Sequence, residues 1–587
     1  MNYKHDYPLY DVKPIKDFKD MLEQAEKEVP DKIAYRYKKG GDIVDVTYSE
    51  FIRDTRVLGT GLASIGAGKA HVAIVAENRY EWIAFYLSVL NSEGVFLPAD
   101  RELPASELAH VLDHGDAEYV IYSATYSKKI EEISPELKKV KKFISIDCAH
   151  EGDDRFMTYE MLYDNGASLF DAGDTSYTSL EPKFDELKML VYTSGTTGAA
   201  KGVMLSLKNL VSGVYYGLQV STVYEVGMSV LPYNHTYEAV CDLLVSLHHH
   251  STVCINDSLR NVAANMQLFK PEYIMLVPLF VENIYKKIRH TIEQSGKAKA
   301  FDKLVKASAA LRRVGVDMRP VMFKSVREVF GGKLKKIVCG GAPIRPELAE
   351  FFDVVGINLI NGYGITECSP LVSANRDMFN DFRSVGVKLP CIDVFIDEPN
   401  DDGEGEICVK GDIVMLGYYK NPEATKAAFT ETGFFRTGDY GKINEANQIF
   451  ITGRKKNLIV LKNGKNVYPE EIEEYIMGLP YIAEVVVYAL KNENGEETAL
   501  CAEIFPDDIV MKEHSPAETA ELIKTEIDRM NDTLPSYKKI AKVKLRNVEF
   551  EKTTSRKIRR VGLGSDETAS ATDGISKNAD EGTEETK

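Results

Sequence analysis

The sequence predicts an α/β fold: a large N-terminal domain of parallel-rich sheets with helices, a small β-rich subdomain, and a small α+β domain near the C-terminal end. Two patterns and a size argument predict it. Short apolar runs alternate with helical periodicity across most of the first 450 residues, as crossover-connected parallel strands require. From about 386 to 450 the strands become short and are separated by Gly and Asn turns. The chain has 587 residues and is 44% hydrophobic, which allows roughly three to four units of about 150 residues each.

The elements follow in order. Residues 72–75 are a strand, 82–90 the helix after it, and 95–98 the next strand. Residues 189–192 form a buried strand, and 274–277 and 336–339 repeat the theme. Residues 282–330 are helical and basic, with Lys286, Lys287, Arg289, Lys297, Lys299, Lys303, Lys306, Arg312 and Arg313. They read as a solvated helical insertion, with a docking patch for an anionic headgroup or phosphate as the other reading. In the β-rich subdomain, 386–450, the strands are 392–396, 406–409 and 448–451. The last domain reads as strand 458–461, helix 469–477, strands 485–490 and 500–505, and helix 516–530. Residues 561–587 carry Gly, Ser, Thr, Asp and Glu with almost no apolar content, an acidic tail expected to be disordered.

The net charge of −17 argues against a broad nucleic-acid surface. Cys148, Cys241, Cys254, Cys339, Cys368, Cys391, Cys408 and Cys501 show no zinc spacing and read as reduced thiols of a cytoplasmic protein. The first residues have no apolar secretory core, and no run reaches the roughly 18 apolar residues of a membrane span. Peripheral membrane contact is left open.

The richest motif runs from Tyr192 to Val203. Thr193, Ser194, Gly195, Thr196, Thr197 and Gly198 precede Lys201. Hydroxyls and backbone N–H groups of such a loop can coordinate phosphate oxygens, and the lysine adds a mobile charge. The loop is not a Walker A motif. Gly340-Gly341-Ala342-Pro343 leaves a strand and offers bare backbone to a flat ligand. Asn361-Gly362-Tyr363-Gly364-Ile365-Thr366-Glu367 exposes a tyrosine face for stacking, a hydroxyl for phosphate, and a hard carboxylate oxygen suited to Mg²⁺. Thr437-Gly438-Asp439 reads as the end of a loop, where Asp439 either caps or accepts from ribose hydroxyls. His248, His249 and His250 are consecutive, which does not place them on one helix face, so no metal site is expected there.

Together these motifs resemble those of the adenylate-forming superfamily, which includes acyl-CoA synthetases, peptide-synthetase adenylation domains and luciferases. The resemblance covers about residues 30–560. It departs at Ala200, where many members have proline, and at Asn457, where many have an acid. It implies an N-terminal adenylate-forming domain, 1–452, a hinge at 453–456 centred on Lys456, and a mobile C-terminal domain, 457–560. Asp439 and Arg454 would hold the ribose. The run from Phe550 to Arg560 resembles the family's last motif, with Glu551 for proline and Arg556 for glycine; Lys557 then matches the catalytic lysine, with Lys552 the next candidate. Leu231-Pro232-Tyr233-Asn234-His235-Thr236-Tyr237-Glu238 resembles the acyl-pocket gate, with His235 beside the reacting carboxylate.

The implied reaction joins a carboxylic acid to a thiol, using ATP, Mg²⁺ and CoA, through an acyl-adenylate. The segments 277–285 and 461–469 resemble long-chain fatty acyl-CoA synthetases, so a fatty acid is the expected substrate. An aryl or short-chain acid and an acyl carrier protein thiol are the alternatives within the class. A peptide-synthetase module is less expected, because too few residues follow Arg560 for a carrier domain. A nucleotide-binding regulatory protein on the same fold is the rival outside it.

Overall fold

The computed structural model describes residues 7–148, 153–193, 200–462, 465–492, 495–552 and 558–560. The chain divides into two compact units. One comprises residues 1–397, 407–437 and 443–450; the other comprises 398–406, 438–442 and 451–587.

The first unit is built on two large sheets. One runs in the order Val387–Lys388, Leu371–Ala374, Asn358–Gly364, Lys336–Cys339, Tyr273–Leu276, Val226–Ser229, Thr252–Ile255, Ile33–Lys39, Asp42–Thr47. Its pairs are parallel from Asn358–Gly364 through to Ile33–Lys39, and antiparallel for the last two pairs at one end and the last pair at the other. The other runs Gly417–Tyr418, Lys201–Ser206, Leu187–Thr193, Val95–Pro98, His71–Val75, Tyr119–Tyr122, Lys142–Ser145, Phe156–Thr158, again parallel except at the Lys201 end. Parallel strands are covered on both faces, so they read as continuous apolar runs rather than alternating ones. Val72, Ala73, Ile74 and Val75 are all buried for this reason. Every side chain of helix Tyr80–Leu90 except Glu81 is buried, as expected of a helix that is apolar all round.

The expected helical insertion is present as Pro278–Gln294, Ala298–Arg313 and two short turns, Arg319–Met322 and Lys324–Glu328. Phe301, Phe323 and Phe330 anchor it to the core beneath the nine-stranded sheet. Ser206 caps helix Leu207–Val220 through a reciprocal box with Asn209. The Asn209 amide also donates to the carbonyls of Asp412 and Val414, at 2.7 and 3.0 Å. One helix start therefore fixes the distant segment that leads to Tyr418.

A four-stranded sheet runs Ile392–Asp397, Gly405–Gly411, Phe435–Ile443, Ile449–Arg454. The C-terminal part of the chain carries a three-stranded sheet: Ile482–Lys491 antiparallel to Glu497–Pro506, with Ile540–Leu545 parallel to the latter. Helices Pro469–Met477 and Pro516–Thr533 pack on it through Ile472, Ile476, Ile523 and Ile527. The expected strand at 458–461 shortens to Ile459–Val460, paired with Asn466–Val467. No helix among the described residues is long and apolar enough to cross a membrane.

Candidate active site

Thr193 ends one strand and Lys201 begins the next, and the two stand opposite each other in antiparallel register. The connection between them contains Ser194, Gly195, Thr196, Thr197 and Gly198, which lie outside the described residues. Gly417–Tyr418 adds to the other side of the Lys201 strand, pairing with Met204 and Val203. That pairing sets the Tyr418 ring 4.9 Å from Lys201 Nζ, a cation–π distance. The Tyr418 hydroxyl donates to Glu367 Oε1 at 2.9 Å, and Met415 N donates to the Glu367 carbonyl at 2.8 Å. Burial and the neighbouring Glu367 carboxylate push the Tyr418 phenol well up, so it remains a donor.

A lysine, a phenol and a carboxylate thus form one group at the start of the Lys201 strand. No group of three or more His, Cys, Asp or Glu gathers as a metal cage among the described residues. A single oriented carboxylate fits Mg²⁺, which is held mainly by substrate phosphates and water with one or two protein carboxylates. Thr366 shares the short turn Thr366–Cys368 with Glu367.

Asn361, Gly362, Tyr363 and Gly364 occupy the end of strand Asn358–Gly364, and Asn361 pairs with Cys339 of the parallel neighbour. Gly340 and Gly341 leave that neighbour at the same level. A Cβ on Gly340 would sit 3.3 Å from the Gly362 carbonyl, and one on Gly364 would clash with the Pro370 carbonyl at 2.1 Å. The glycines therefore serve close backbone approach as well as any ligand. Gly341 has φ +85°, and Gly341, Ala342 and Pro343 are exposed beyond the strand end. This is the carboxyl edge of a parallel sheet, where α/β folds bind ligands.

The gate segment turns out of strand Val226–Ser229. His235 is half-buried, and its N–H donates to the Pro232 carbonyl at 3.1 Å. Tyr237 opens a π-helical stretch, Tyr237–Leu244, and its hydroxyl reaches the Val338 carbonyl at 3.0 Å, beside Gly340. Glu238 Oε1 accepts from the N–H groups of Val230 and Leu231 at 2.9 and 3.2 Å, fixing the turn that carries His235. Asp242 Oδ1 accepts from Ser246 at 3.1 Å. Burial raises both carboxyls: Asp242, held down by hydrogen bonds from Ser246 and Glu238, reaches about 6, while Glu238, raised further by Asp242, lies well above the usual range, so the pair retains a proton. This pair was not among the expected site residues; the i, i+4 spacing of Glu238 and Asp242 was its only trace in the sequence.

Asp439 is not at a loop end, as expected, but inside strand Phe435–Ile443, with 3% exposure. Arg454 Nε meets Asp439 Oδ1 at 2.9 Å, while the arginine side chain is 43% exposed. Beside them Glu406 binds Lys455 Nζ at 2.8 Å and accepts from Gly438 N at 3.2 Å. Lys456 lies in the turn Lys455–Asn457; burial, then Arg454 and Arg560, lower its pKa. Lys557 lies outside the described residues. Lys552 is 11% exposed and held by Glu484 and, at 2.6 Å, by Glu549, which makes it a structural ion-pair partner.

The three histidines diverge: His248 is buried, His249 meets Ser251 Oγ at 3.1 Å, and His250 lies 3.8 Å from Glu28.

The family model for AMP-binding enzymes matches residues 22–419, and that for their C-terminal domain matches 456–563. The chain is 29% identical over 489 residues to the long-chain-fatty-acid–CoA ligase FadD15 of Mycobacterium bovis, covering 80% of this chain and 79% of that protein. It is 27% identical to the long-chain-fatty-acid–CoA ligase 6 of Rattus norvegicus, over 76% of this chain and 67% of that one. In fold it is similar to the anthranilate CoA ligase AuaEII in complex with anthranoyl-AMP, with a TM-score of 0.75, 17% identity, and 97% and 99% of the two chains covered. It is also similar to a fatty acyl CoA synthetase of Mycobacterium tuberculosis, with a TM-score of 0.61, 22% identity, and 93% and 97% covered.

Proposed function

We propose that this chain, which belongs to the AMP-binding enzyme family, is an ATP-dependent fatty acid–CoA ligase, with long-chain acids as its substrates. The observation that carries this reading is the Lys201–Tyr418–Glu367 group at the start of the strand that follows the Ser/Thr/Gly segment in sequence. A cation and a carboxylate, joined by a phenol, are the groups that nucleotide phosphates and Mg²⁺ call for, which supports the reading. The long-chain assignment rests on relatives whose names state that substrate.

In the first step a carboxylate oxygen of the acid bonds to the α-phosphorus of ATP, and the bond to pyrophosphate breaks. In the second, a thiol sulfur bonds to the acyl carbon and AMP leaves. Thr193, Lys201 and the 194–198 loop bind phosphate oxygens. Glu367 would hold Mg²⁺, which would supply charge neutralisation for the phosphates, and Thr366 orients the α-phosphate. Gly341, Ala342, Pro343 and the Asn361–Gly364 stretch flank adenine, with Tyr363 stacked on it. Asp439 and Arg454 hold the ribose, and His235 borders the reacting carboxylate. Lys557 reduces repulsion between that carboxylate and the α-phosphate. By the family resemblance, the domain after the hinge at Lys456 presents Lys557 only for the first step, a domain-closure mechanism.

Structures of ligases for anthranilate and o-succinylbenzoate share the fold and keep an aryl acid as the second reading. Exchange of labelled pyrophosphate into ATP, screened over acids from acetate to palmitate and over aryl acids, separates these. Stimulation that rises with chain length is the expected result. Exchange with aryl acids alone would replace the fatty-acid reading, and no exchange with any acid would sink the enzyme reading. Offering CoA and an acyl carrier protein to the formed adenylate identifies the thiol.

A further inference from the structure

We propose that the turn after helix Ala298–Arg313 is a docking surface for an anionic phospholipid bilayer. The helix is two-faced. Phe301, Val305, Ser308 and Arg312 face the core or its rim, at i, i+4, i+7 and i+11. At 100° per residue the opposite face carries Lys299, Lys303, Lys306, Ala310 and Arg313. All five are exposed, and none of the four cations is ion-paired among the described residues. The chain then turns through Val314, Gly315, Val316, Asp317 and Met318 into Arg319–Met322. This turn and the short helix after it hold some of the most exposed apolar side chains of the molecule: Val314 at 74%, Val321 at 67%, Val316 at 45% and Met318 at 38%.

Charge complementarity selects the occupant. The whole chain carries −17, so an anionic surface repels most of it and attracts it only where cations are concentrated. Here a row of cations leads to an apolar tip, the combination that binds headgroups and inserts side chains at their boundary. A protein partner would require a matched face of roughly 800 Å², whereas a bilayer accepts four apolar side chains on a turn without shape matching. The neighbouring cavity of about 810 Å³ is lined by Arg312, Arg313, Arg319 and Lys335, of which all but Arg313 are ion-paired among the described residues, so it competes only weakly for anions. Its Arg312 and Arg319 are neutralised by Asp353 at 2.7 and 3.0 Å, and Arg319 also by Asp317 at 2.7 Å.

Cosedimentation of the full chain with vesicles tests this without any activity, so its failure is separate from failure of the ligase reading. Phosphatidylcholine vesicles are compared with vesicles containing phosphatidylglycerol, at low and high salt. Binding only to the anionic vesicles, weakened by salt, is expected. Each cation near such a surface contributes about five-fold, so Lys303→Ala, Lys306→Ala and Arg313→Ala together should weaken binding about 100-fold. Val314→Ser with Val321→Ser should weaken it about ten-fold or more, with the thermal midpoint and pyrophosphate exchange unchanged. Equal binding to neutral and anionic vesicles, or wild-type binding by both variants, would overturn the proposal. So would a change of sedimentation coefficient in the valine variant without lipid, which would mean that a second copy covers the turn.

Discussion

Two clusters of charged side chains in this chain are assembled differently. Lys201, Glu367 and Tyr418 come from segments far apart in sequence, brought together by pairing of Gly417–Tyr418 with the Lys201 strand. Asp439 and Arg454 lie close in sequence, on strands Phe435–Ile443 and Ile449–Arg454, with Glu406 and Lys455 beside them. The first cluster depends on long-range sheet order, including the Asn209 anchor on the 412–414 segment. The second is set by local strand geometry. A polar side chain whose position depends on distant pairing fails when that pairing loosens; one on a short ribbon fails only when the ribbon does.

The largest expected effect is at the proposed catalytic lysine, Lys557. Lys557→Ala should slow acyl-adenylate formation about 100- to 1000-fold, the cost of removing a preorganised group that meets developing charge. The same variant, given synthetic acyl-adenylate and CoA, should form the thioester at near wild-type rate in a stopped assay. Equal loss in both half-reactions would make the lysine structural.

Asp439→Ala probes the local cluster. A hydrogen-bonded charged group contributes about 1.5–3 kcal/mol, or roughly 10- to 150-fold. ATP affinity by calorimetry and the thioester-forming rate should both fall within that range, because ribose is present in ATP, adenylate and AMP alike. Unchanged affinity would remove Asp439 from the site.

Tyr418→Phe probes the distant cluster more gently. It keeps the ring against Lys201 and deletes only the hydroxyl on Glu367. The Mg²⁺ concentration needed for half-maximal exchange should rise about 2- to 10-fold, the scale of one hydrogen bond. If it does not move, Glu367 is oriented by other means.

The scaffold of the first cluster is tested through stability and not through activity. Lys188, on the strand that ends in Thr193, is buried, donates to the Ser92 and Gly94 carbonyls at 2.5 and 2.7 Å, and is lowered by burial to about 7. An unfolded lysine titrates near ~10.4. Between those values the unfolded chain binds the proton and the folded chain does not, so this group makes stability rise with pH across that window. Urea midpoints measured from pH 7 to 10 should show the slope, and Lys188→Met should remove it.

Much of the scaffold was legible because burial on both faces leaves unmistakable apolar runs: 72–75, 95–98 and 336–339 were read with small or no boundary changes. Strand Ile540–Leu545 was not read, although Lys542 and Lys544 alternate with Val543 and Leu545; its lysines disguised a half-buried edge. At the site, Glu367 and Lys201 were legible as residue types, but Tyr418 was not, since nothing in a lone Gly-Tyr pair signals the contact.

By itself the sequence determined the α/β class and the order of the motifs, because strand burial and glycine-rich turns are local properties of the chain. Only the tertiary structure decided that Tyr418 joins Lys201 to Glu367, that Asp439 sits within a strand, and that Glu238 and Asp242 are buried together. Those facts depend on which strands pair and what they exclude from water, and pairing between residues more than 100 positions apart leaves no periodic trace in the sequence.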